Sequence, residues 1–469
     1  MSFTSFQFWI IFPFLFAVYW LIPVNRPVLK KACLIVSSMV MYMLWNPLFL
    51  FVMAGVCLIT YYAGIVAEER DTNKWRVLSL LIIIAFVPLF IFKYWDFFAS
   101  IIDKLSYNRV RIAGLNWAVP VGISFYTFQA VGYALDVKRG RIHAERNLLD
   151  YSLFISFFPQ IMCGPISKGE ELIPQLKDPG QFNVELATKG FHLLVWGMFM
   201  KFVLADRLGL LVDAVYSNPG QYSGANILAA TLLYSFQIYG DFAGYSFMAV
   251  GIAGLLGINL INNFRRPYLA MTVTGFWKRW HISLTRWLKE NIYIPLGGNR
   301  EGQFRTYLNI ILTFLVSGIW HGAAWTFVIW GILHGITLCV ERRIGISRVK
   351  EVPVLPKLVM TVVSFSLVSL FWIFFRASTL SGASELIGRI CLSFGKLDLK
   401  ILGTDYLFNI AIILPIVFIK DIYDEFIKHK IQIIFFDSDV FKWGLSAFVL
   451  FLVMAFGVLD SSQFIYSGF

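Results

Sequence analysis

The fold follows from the segment Leu308–Val340, which reads LNIILTFLVSGIWHGAAWTFVIWGILHGITLCV and contains no Asp, Glu, Lys or Arg. A membrane-spanning helix needs about 20 such residues, and one helix of this length would extend for roughly 50 Å. We therefore predict two apolar helices with a break at Ser317–Gly322, where two glycines flank a histidine. The break would place His321 at a helix end inside the membrane, where an ionisable residue is a functional candidate. The alternative is a neutral structural histidine satisfied by a backbone carbonyl.

The composition of the whole chain agrees with this segment. Of the 469 residues, 58% are hydrophobic and 14% are charged, and the mean hydropathy is +0.70. A soluble domain has roughly 25% charged residues, so we predict a polytopic membrane protein with room for about ten spans. The net charge of +12 indicates positively charged cytoplasmic loops and not nucleic-acid binding. The five scattered cysteines show no metal-ligand spacing, so we assign them to packing.

The basic loops predict how the chain is oriented. Arg26, Lys30 and Lys31 follow the first apolar segment, Phe6–Val24, which places this loop in the cytoplasm and the N-terminus outside. The segment has no basic region before it and no A-x-A site after it, so we interpret it as a retained span. The other regular spans that we predict are Ala32–Trp45, Pro47–Ala67, Val77–Phe92, Pro120–Leu135, Leu358–Phe375, Tyr406–Ile419 and Gly444–Leu459.

The middle of the chain is less regular. Tyr151–Ile166 is apolar but short, and prolines and a glycine break it, so we predict a re-entrant element surrounded by protein. Ile227–Ile261 is a long apolar run that is interrupted by Gln237 and by Gly240–Gly244. Asp241 lies near the middle of this run, where a carboxylate must be paired or face a polar cavity.

The largest loop, Asn262–Arg305, has eight basic and two acidic residues. We predict that Thr274 caps a helix starting near Gly275. Aromatic residues recur along this helix at three- and four-residue spacing, which is typical of a helix lying in the membrane interface. His281 is on this element. The basic residues of this loop suit binding of an anionic donor. The alternative is that they only orient the chain in the membrane and bind anionic lipid.

Several chemistries are excluded by motif. The sequence has no G-x-x-x-x-G-K-[ST], no H-E-x-x-H and no G-x-S-x-G, which argues against ATP-driven pumping, a zinc protease and a serine hydrolase. Of the six histidines, His143 and His429 lie in charged loops and His192 and His334 on apolar faces. His281 and His321 remain as candidates. A neutral imidazole can take the proton from a hydroxyl as it attacks a thioester, and a buried site excludes competing water.

Five groups of residues carry a resemblance to a known family. They are RWHIS at 279–283, YIPLGGNR at 293–300, SGIWHG at 317–322, FFPQ at 157–160 with GPI at 164–166, and FQIY at 236–239 with DF at 241–242 and GYS at 244–246. Over nearly the whole chain, this pattern resembles the membrane-bound O-acyltransferase family in its bacterial alginate O-acetyltransferase-like branch. One departure is Phe247, where the family pattern leads us to expect Asp.

The resemblance implies an all-α polytopic fold of about 10–12 transmembrane helices, with re-entrant and interfacial helices around a central funnel. It implies one integral-membrane domain over 1–469 with a catalytic core at about 120–340. The family's catalytic histidine falls on His321 and its second characteristic histidine on His281. We expect further substrate contacts from Arg279, Asn299, Arg300, Gln237 and Asp241. The bilayer would be the inner membrane of a bacterium.

The activity that follows is transfer of an acetyl group from cytoplasmic acetyl-CoA toward a hydroxyl of an extracytoplasmic polysaccharide, such as alginate or another exopolysaccharide. Transfer would be direct or through an extracytoplasmic partner protein. The acyl donor is the one small molecule implied, and neither a bound cofactor nor a metal is expected. Two alternatives stay open: D-alanyl transfer to teichoic acid from a carrier protein, and a lipid or sugar transporter with His321 on the path. A transporter often shows related halves, which we do not find in this sequence.

Overall fold

The computed structural model describes residues 2–69, 72–107, 109–161, 163–178, 180–346, 352–398, 409–427 and 438–458. Within these ranges all regular secondary structure is helical, which confirms the predicted all-α class. Among the helices described, four are long and apolar enough to cross a membrane: Pro47–Glu68, Lys74–Leu105, Val354–Arg376 and Asp439–Phe456. The protein is therefore a polytopic membrane protein, as the composition predicts.

The described residues form two compact units, one drawn from 1–194 and 245–262 and the other from 195–244 and 263–466. The first unit holds the helices Phe6–Leu21, Pro27–Met43, Pro47–Glu68, Thr72–Leu89, Trp95–Leu105, Ile123–Lys138, Leu148–Ser156, Phe158–Ile161 and Gly169–Lys177. The second holds Asp206–Ser217, Val273–Trp277, Ile282–Leu288, Gly302–His321, Trp325–Ile344, Val354–Arg376, Leu380–Leu392, Leu414–Ile422 and Asp439–Phe456. Val184–Met198 and Gly224–Leu255 contribute residues to both units.

The early spans follow the prediction, with two differences. The second helix begins at Pro27 and not at Ala32, so Lys30 and Lys31 lie inside it and not in a loop. The second helix ends at Met43. Asn46 caps the third helix, because its side chain accepts a hydrogen bond from the Leu48 N–H. The predicted span Val77–Phe92 is too short. The helix continues through a π-helical turn at Phe90–Tyr94 into Trp95–Leu105, because no glycine or proline stands there to end it.

The short apolar segment Tyr151–Ile166 is enclosed by protein, as predicted. It contributes to Leu148–Ser156 and Phe158–Ile161, whose apolar side chains are mostly buried. The Gln129 amide Nε2 donates a hydrogen bond of 2.6 Å to the Phe154 carbonyl oxygen. The backbone of this segment thus finds a polar partner within its own unit, as a buried non-spanning element requires. Its re-entrant position in the membrane stays a prediction.

The polar and glycine residues at Gly240–Gly244 do not end the helix, because Gly224–Leu255 is one continuous helix of 32 residues. The two glycines permit a close helix crossing. A Cβ atom at Gly240 would lie 2.8 Å from the Met200 carbonyl oxygen, and one at Gly244 would lie 2.9 Å from the Gly197 carbonyl oxygen.

The predicted pair of apolar helices is confirmed. Gly302–His321 and Trp325–Ile344 pack against each other, and we call them the histidine hairpin. Part of the predicted span Tyr406–Ile419 lies outside the described residues, and the remainder is helical from Asn409 onward.

Candidate active site

His321 is the last residue of the first hairpin helix, and its side chain is buried at 1% exposure. Its ring Nδ1 lies 2.6 Å from the Ser317 carbonyl oxygen, one helical turn earlier. A carbonyl only accepts hydrogen bonds, so Nδ1 is the donor. In the neutral ring the lone pair is then on Nε2, the nitrogen that can act as a base. A purely structural histidine would also make this hydrogen bond to a backbone carbonyl. The same hydrogen bond selects the tautomer in which Nε2 is free to accept a proton.

The hairpin crossing fixes the position of His321. A Cβ atom at Gly318 would lie 2.3 Å from the Phe327 carbonyl oxygen, and one at Gly331 would lie 2.3 Å from the Phe314 carbonyl oxygen. Only glycine at both places allows the backbones to approach so closely, as in other tightly packed membrane helices. Gly318 is three residues before His321, so this approach also sets where the imidazole lies.

His281 occupies a sharp turn and not the middle of a helix. Its φ of 43° is left-handed, and it separates Val273–Trp277 from Ile282–Leu288. Asn263 supports this turn with both its backbone and its side chain. The Ile282 N–H donates to the Asn263 carbonyl oxygen at 3.0 Å, and the Ser283 N–H donates to its side-chain Oδ1 at 3.1 Å.

The aromatic stripe of this segment does not form an exposed face. It is inside the second unit, where Phe276, Trp277 and Trp280 are almost fully buried. The helix also begins two residues earlier than predicted, since Thr272 is the N-cap and accepts a hydrogen bond from the Gly275 N–H. Protein, not lipid, covers the apolar face.

Glu341 joins this short-helix segment to the histidine hairpin. Its carboxylate accepts hydrogen bonds from the Val273 N–H at 2.6 Å and from the Thr274 N–H and hydroxyl at 2.8 and 2.6 Å. A carboxylate at a helix N-terminus satisfies orphan donors and complements the helix dipole. A lone acidic residue near the end of an apolar helix is the one indication of this contact that the sequence contains.

The structure brings His281 and His321 together. Their ring centroids are 6.5 Å apart, and the Trp320 ring lies 5.7 Å from the first and 4.9 Å from the second. His281 is fully buried. Burial lowers the pKa of His281 well below its ordinary value, and the neighbouring His321 lowers it further. His281 is therefore a neutral imidazole at pH 7.

An aromatic shell surrounds the two rings. Trp330 and Phe375 lie 4.8 and 5.5 Å from His321, and Phe242 lies 4.7 Å from His281 in an edge-to-face arrangement. Such a shell excludes water from the imidazoles and strengthens electrostatic interactions beside them. His334 belongs to this shell as a fully buried residue whose Nδ1 accepts a hydrogen bond from the Trp277 indole N–H at 3.2 Å.

Asp241 is paired, as its position in an apolar run requires. The Lys201 ammonium donates to Asp241 Oδ1 at 2.6 Å and to Asp206 Oδ1 at 2.7 Å, and all three side chains are buried. Lys201 lies in a π-helical turn, Phe199–Ala205. Gln237, one helical turn before Asp241, is also buried, and its amide packs against Gly209.

The three loop residues chosen from the sequence have different surroundings. Arg279 is two residues before His281, and its Nη2 donates to Glu425 Oε1 at 2.8 Å. Asn299 and Arg300 are exposed. They precede the first hairpin helix, whose 20 residues separate them from His321 by roughly 30 Å. The structure thus does not bring Asn299 and Arg300 to the histidine pair. Across the described ranges, no group of three or more His, Cys, Asp or Glu side chains has a metal-binding arrangement.

The candidate site of this integral-membrane protein is thus a pair of buried imidazoles, held by apolar helices inside an aromatic shell. The model of the MBOAT, membrane-bound O-acyltransferase family, matches residues 2–375. The chain belongs to this family and is an O-acyltransferase.

Three relatives indicate which branches are near. A peptidoglycan O-acetyltransferase of Helicobacter pylori is 35% identical over 391 residues, covering 77% of this chain and 74% of the relative. The protein named Probable alginate O-acetylase AlgI of Azotobacter vinelandii is 34% identical over 418 residues, covering 88% and 82%. A teichoic acid D-alanyltransferase of Bacillus subtilis is 26% identical over 302 residues, covering 61% and 74%. The predicted acyltransferase family is confirmed.

Proposed function

We propose that this protein transfers an acetyl group from cytoplasmic acetyl-CoA toward a hydroxyl of an extracytoplasmic polysaccharide. The observation that carries the proposal is the buried pair His281 and His321, with ring centroids 6.5 Å apart. The donor and acceptor classes are supported by the relatives named as alginate and peptidoglycan O-acetylating proteins. The basic excess of Asn262–Arg305 suits an anionic donor presented from the cytoplasm.

In the proposed reaction, His321 Nε2 is the general base. It takes the proton of the attacking hydroxyl as the oxygen bonds to the thioester carbonyl carbon. The C–S bond then breaks, and the thiolate takes up the proton as the ester leaves. General-base help of this kind contributes about 10²–10⁴ in rate. His281, held in its turn by Asn263, would position the donor or the acceptor beside His321.

The other proposed contacts follow from their positions. Arg279 would contact the donor from the same segment as His281. Asn299 and Arg300, at the opposite end of the hairpin helix from His321, would meet only a part of the donor remote from the thioester. Gln237 and Asp241 would contribute to substrate binding from the buried helix Gly224–Leu255, with Lys201 holding the Asp241 carboxylate in place.

The test is acetyl transfer by purified protein in lipid nanodiscs, measured as loss of the acetyl-CoA thioester and as labelled product. His321→Ala should lose at least about 100-fold in turnover while keeping the thermal unfolding midpoint of the wild type. His143→Ala is the matched control, because that imidazole is fully exposed and pairs with Glu68, away from the candidate site. Wild-type turnover in His321→Ala would refute the catalytic role.

One alternative keeps the enzyme class and changes the donor to a D-alanyl carrier protein. It is supported by the likeness to a teichoic acid D-alanyltransferase. The same nanodiscs separate the two reactions. Tight binding of a D-alanyl carrier protein, without turnover of acetyl-CoA, would favour D-alanyl transfer.

The setting we propose is the inner membrane of a bacterium, with the N-terminus outside and Asn262–Arg305 in the cytoplasm. One integral-membrane domain would span 1–469, with its catalytic core at about 120–340. An extracytoplasmic partner protein would accept the acetyl group and pass it to sugar. Cysteine accessibility at Ser2 and at Lys278, probed from each side of the membrane, tests this orientation.

A further inference from the structure

One carboxylate bridges two arginines of the segment that leads to His281. Glu425 Oε1 accepts from Arg279 Nη2 at 2.8 Å, and Glu425 Oε2 lies 3.3 Å from Arg266 Nε. The three side chains are 14–26% exposed. The cluster is therefore sheltered but accessible, whereas His281, two residues after Arg279, is fully buried. The segment runs from an accessible charged cluster to a buried ring.

Glu425 does not saturate the donors of the two guanidinium groups. Arg279 donates one hydrogen bond to Glu425 Oε1, and Arg266 Nε forms an ion pair with Oε2. A guanidinium offers five N–H donors in a rigid fork. Arg279 Nη1 is buried and has no hydrogen-bond partner among the described residues. Asp421, one helical turn before Glu425, accepts a hydrogen bond from the Tyr239 hydroxyl at 3.3 Å.

The backbone presents both arginines from fixed positions. Arg266 has a left-handed φ of 49°, and the Arg265 N–H donates to the Arg279 carbonyl oxygen at 2.9 Å. The two backbone segments that carry the guanidinium groups are thus hydrogen-bonded to each other. A preorganised pair of guanidinium groups matches the geometry of a phosphate, which has more acceptor oxygens than a carboxylate.

We propose that Arg266 and Arg279 bind the phosphate at the end of the donor's pantetheine arm, and that Glu425 occupies this place until the donor arrives. The inference rests on the proposed function and names the part of the donor that is recognised. Coenzyme A and a carrier protein both present a phosphate next to pantetheine, so the shared chemistry is a phosphopantetheine thioester.

The test compares donors that differ only in phosphate. We would measure kcat and KM in nanodiscs with acetyl-CoA, acetyl-4′-phosphopantetheine and acetyl-pantetheine. Arg266→Gln and Arg279→Gln should each raise the KM of the two phosphate-bearing donors by about tenfold or more, because a charge-assisted hydrogen bond is lost. The kcat/KM of acetyl-pantetheine should change by less than about twofold. Arg305→Gln is the control, since Arg305 is a basic residue in the first turn of the histidine hairpin and pairs with the exposed Glu301.

Glu425→Gln gives a second, opposite expectation. It keeps the shape and removes the competing anion, so the KM of acetyl-CoA should fall. If the KM of acetyl-CoA instead rises as in the arginine variants, the proposal that the donor phosphate replaces the Glu425 carboxylate is wrong. Equal losses with all three donors in Arg266→Gln and Arg279→Gln would show that the arginines only hold the fold, and would overturn the site.

Calorimetric binding of coenzyme A separates this inference from the proposed reaction. Binding that weakens about tenfold in Arg279→Gln, without any turnover, would support the phosphate site and refute the acetyl transfer. Turnover of all donors, with no dependence on Arg266 or Arg279, would support the transfer and refute the site. Binding of a phosphopantetheinylated carrier protein that depends on Arg279, with no effect on coenzyme A, would identify the carrier as the source of the phosphate.

Discussion

The closest helix crossing next to His321 makes Gly318→Ala an informative perturbation. An added Cβ would lie 2.3 Å from the Phe327 carbonyl oxygen and 3.1 Å from its carbon. The obstacle is backbone, so no side chain can rotate away. Restoring an ordinary contact of at least 3.4 Å requires the hairpin helices to separate by about 1 Å, and overpacking of this kind costs about 1–3 kcal/mol.

The displacement should reach the imidazole, because Gly318 is less than one turn from His321 on the same helix. A misplacement of about 1 Å in a catalytic site can cost about 100-fold in rate. We therefore expect Gly318→Ala to lower acetyl transfer by roughly 100-fold and to lower the thermal unfolding midpoint. Both would be measured in nanodiscs, with the midpoint followed by intrinsic tryptophan fluorescence.

Two matched glycines serve as controls. Gly55→Ala has nothing within 4 Å of the new Cβ and should leave activity unchanged, with a gain in stability of about 1 kcal/mol from helix propensity. Gly335→Ala, on the same hairpin, places Cβ 3.1 Å from Ile311 Cα and should give an intermediate loss. Wild-type activity and stability in Gly318→Ala would show that the crossing does not position His321.

Two further predictions concern the residues around the histidine pair. Asn263→Ala removes the acceptor of the buried Ser283 N–H. The loss should lower the free energy of unfolding by about 1–3 kcal/mol and should lower kcat, while unfolding stays cooperative. An unchanged kcat would mean that the turn at His281 holds without the Asn263 side chain. Trp277→Phe removes the donor to His334 Nδ1 and should cost about 1 kcal/mol of stability with little change in kcat at saturating donor. A 100-fold loss of kcat in this variant would assign His334 a direct part in the reaction.

Residues near in sequence were predicted well. The absence of charge over Leu308–Val340 and the glycines beside His321 were enough to predict two helices and a histidine at their junction, because hydrophobic length and local backbone freedom act within a few residues. The need of Asp241 for a partner also followed, since an unpaired carboxylate in an apolar run is too costly. The partner is Lys201, which is 40 residues away in the chain. Its identity could not be predicted from the sequence.

Residues whose role depends on distant packing were not predicted. The aromatic stripe around His281 has the spacing of an interfacial helix, and the sequence does not say whether lipid or protein covers it. The left-handed turn at His281 needs Asn263, and Arg279 meets an acid 146 residues later in the chain. Gly240 and Gly244 interrupt the apolar run of the sequence, but in the structure they are contact points inside a continuous helix, where an added Cβ atom would lie 2.8–2.9 Å from a neighbouring backbone.

The sequence by itself determined the class of molecule, the family and the two histidines, because apolar run length and local motifs depend on neighbouring residues alone. Only the tertiary structure decided that these histidines lie 6.5 Å apart, that Glu341 and Asn263 hold one of them in place, and that Glu425 bridges two arginines. Each of these facts joins residues separated by at least 18 positions. Such contacts depend on how helices pack, and helix packing is set by the whole chain.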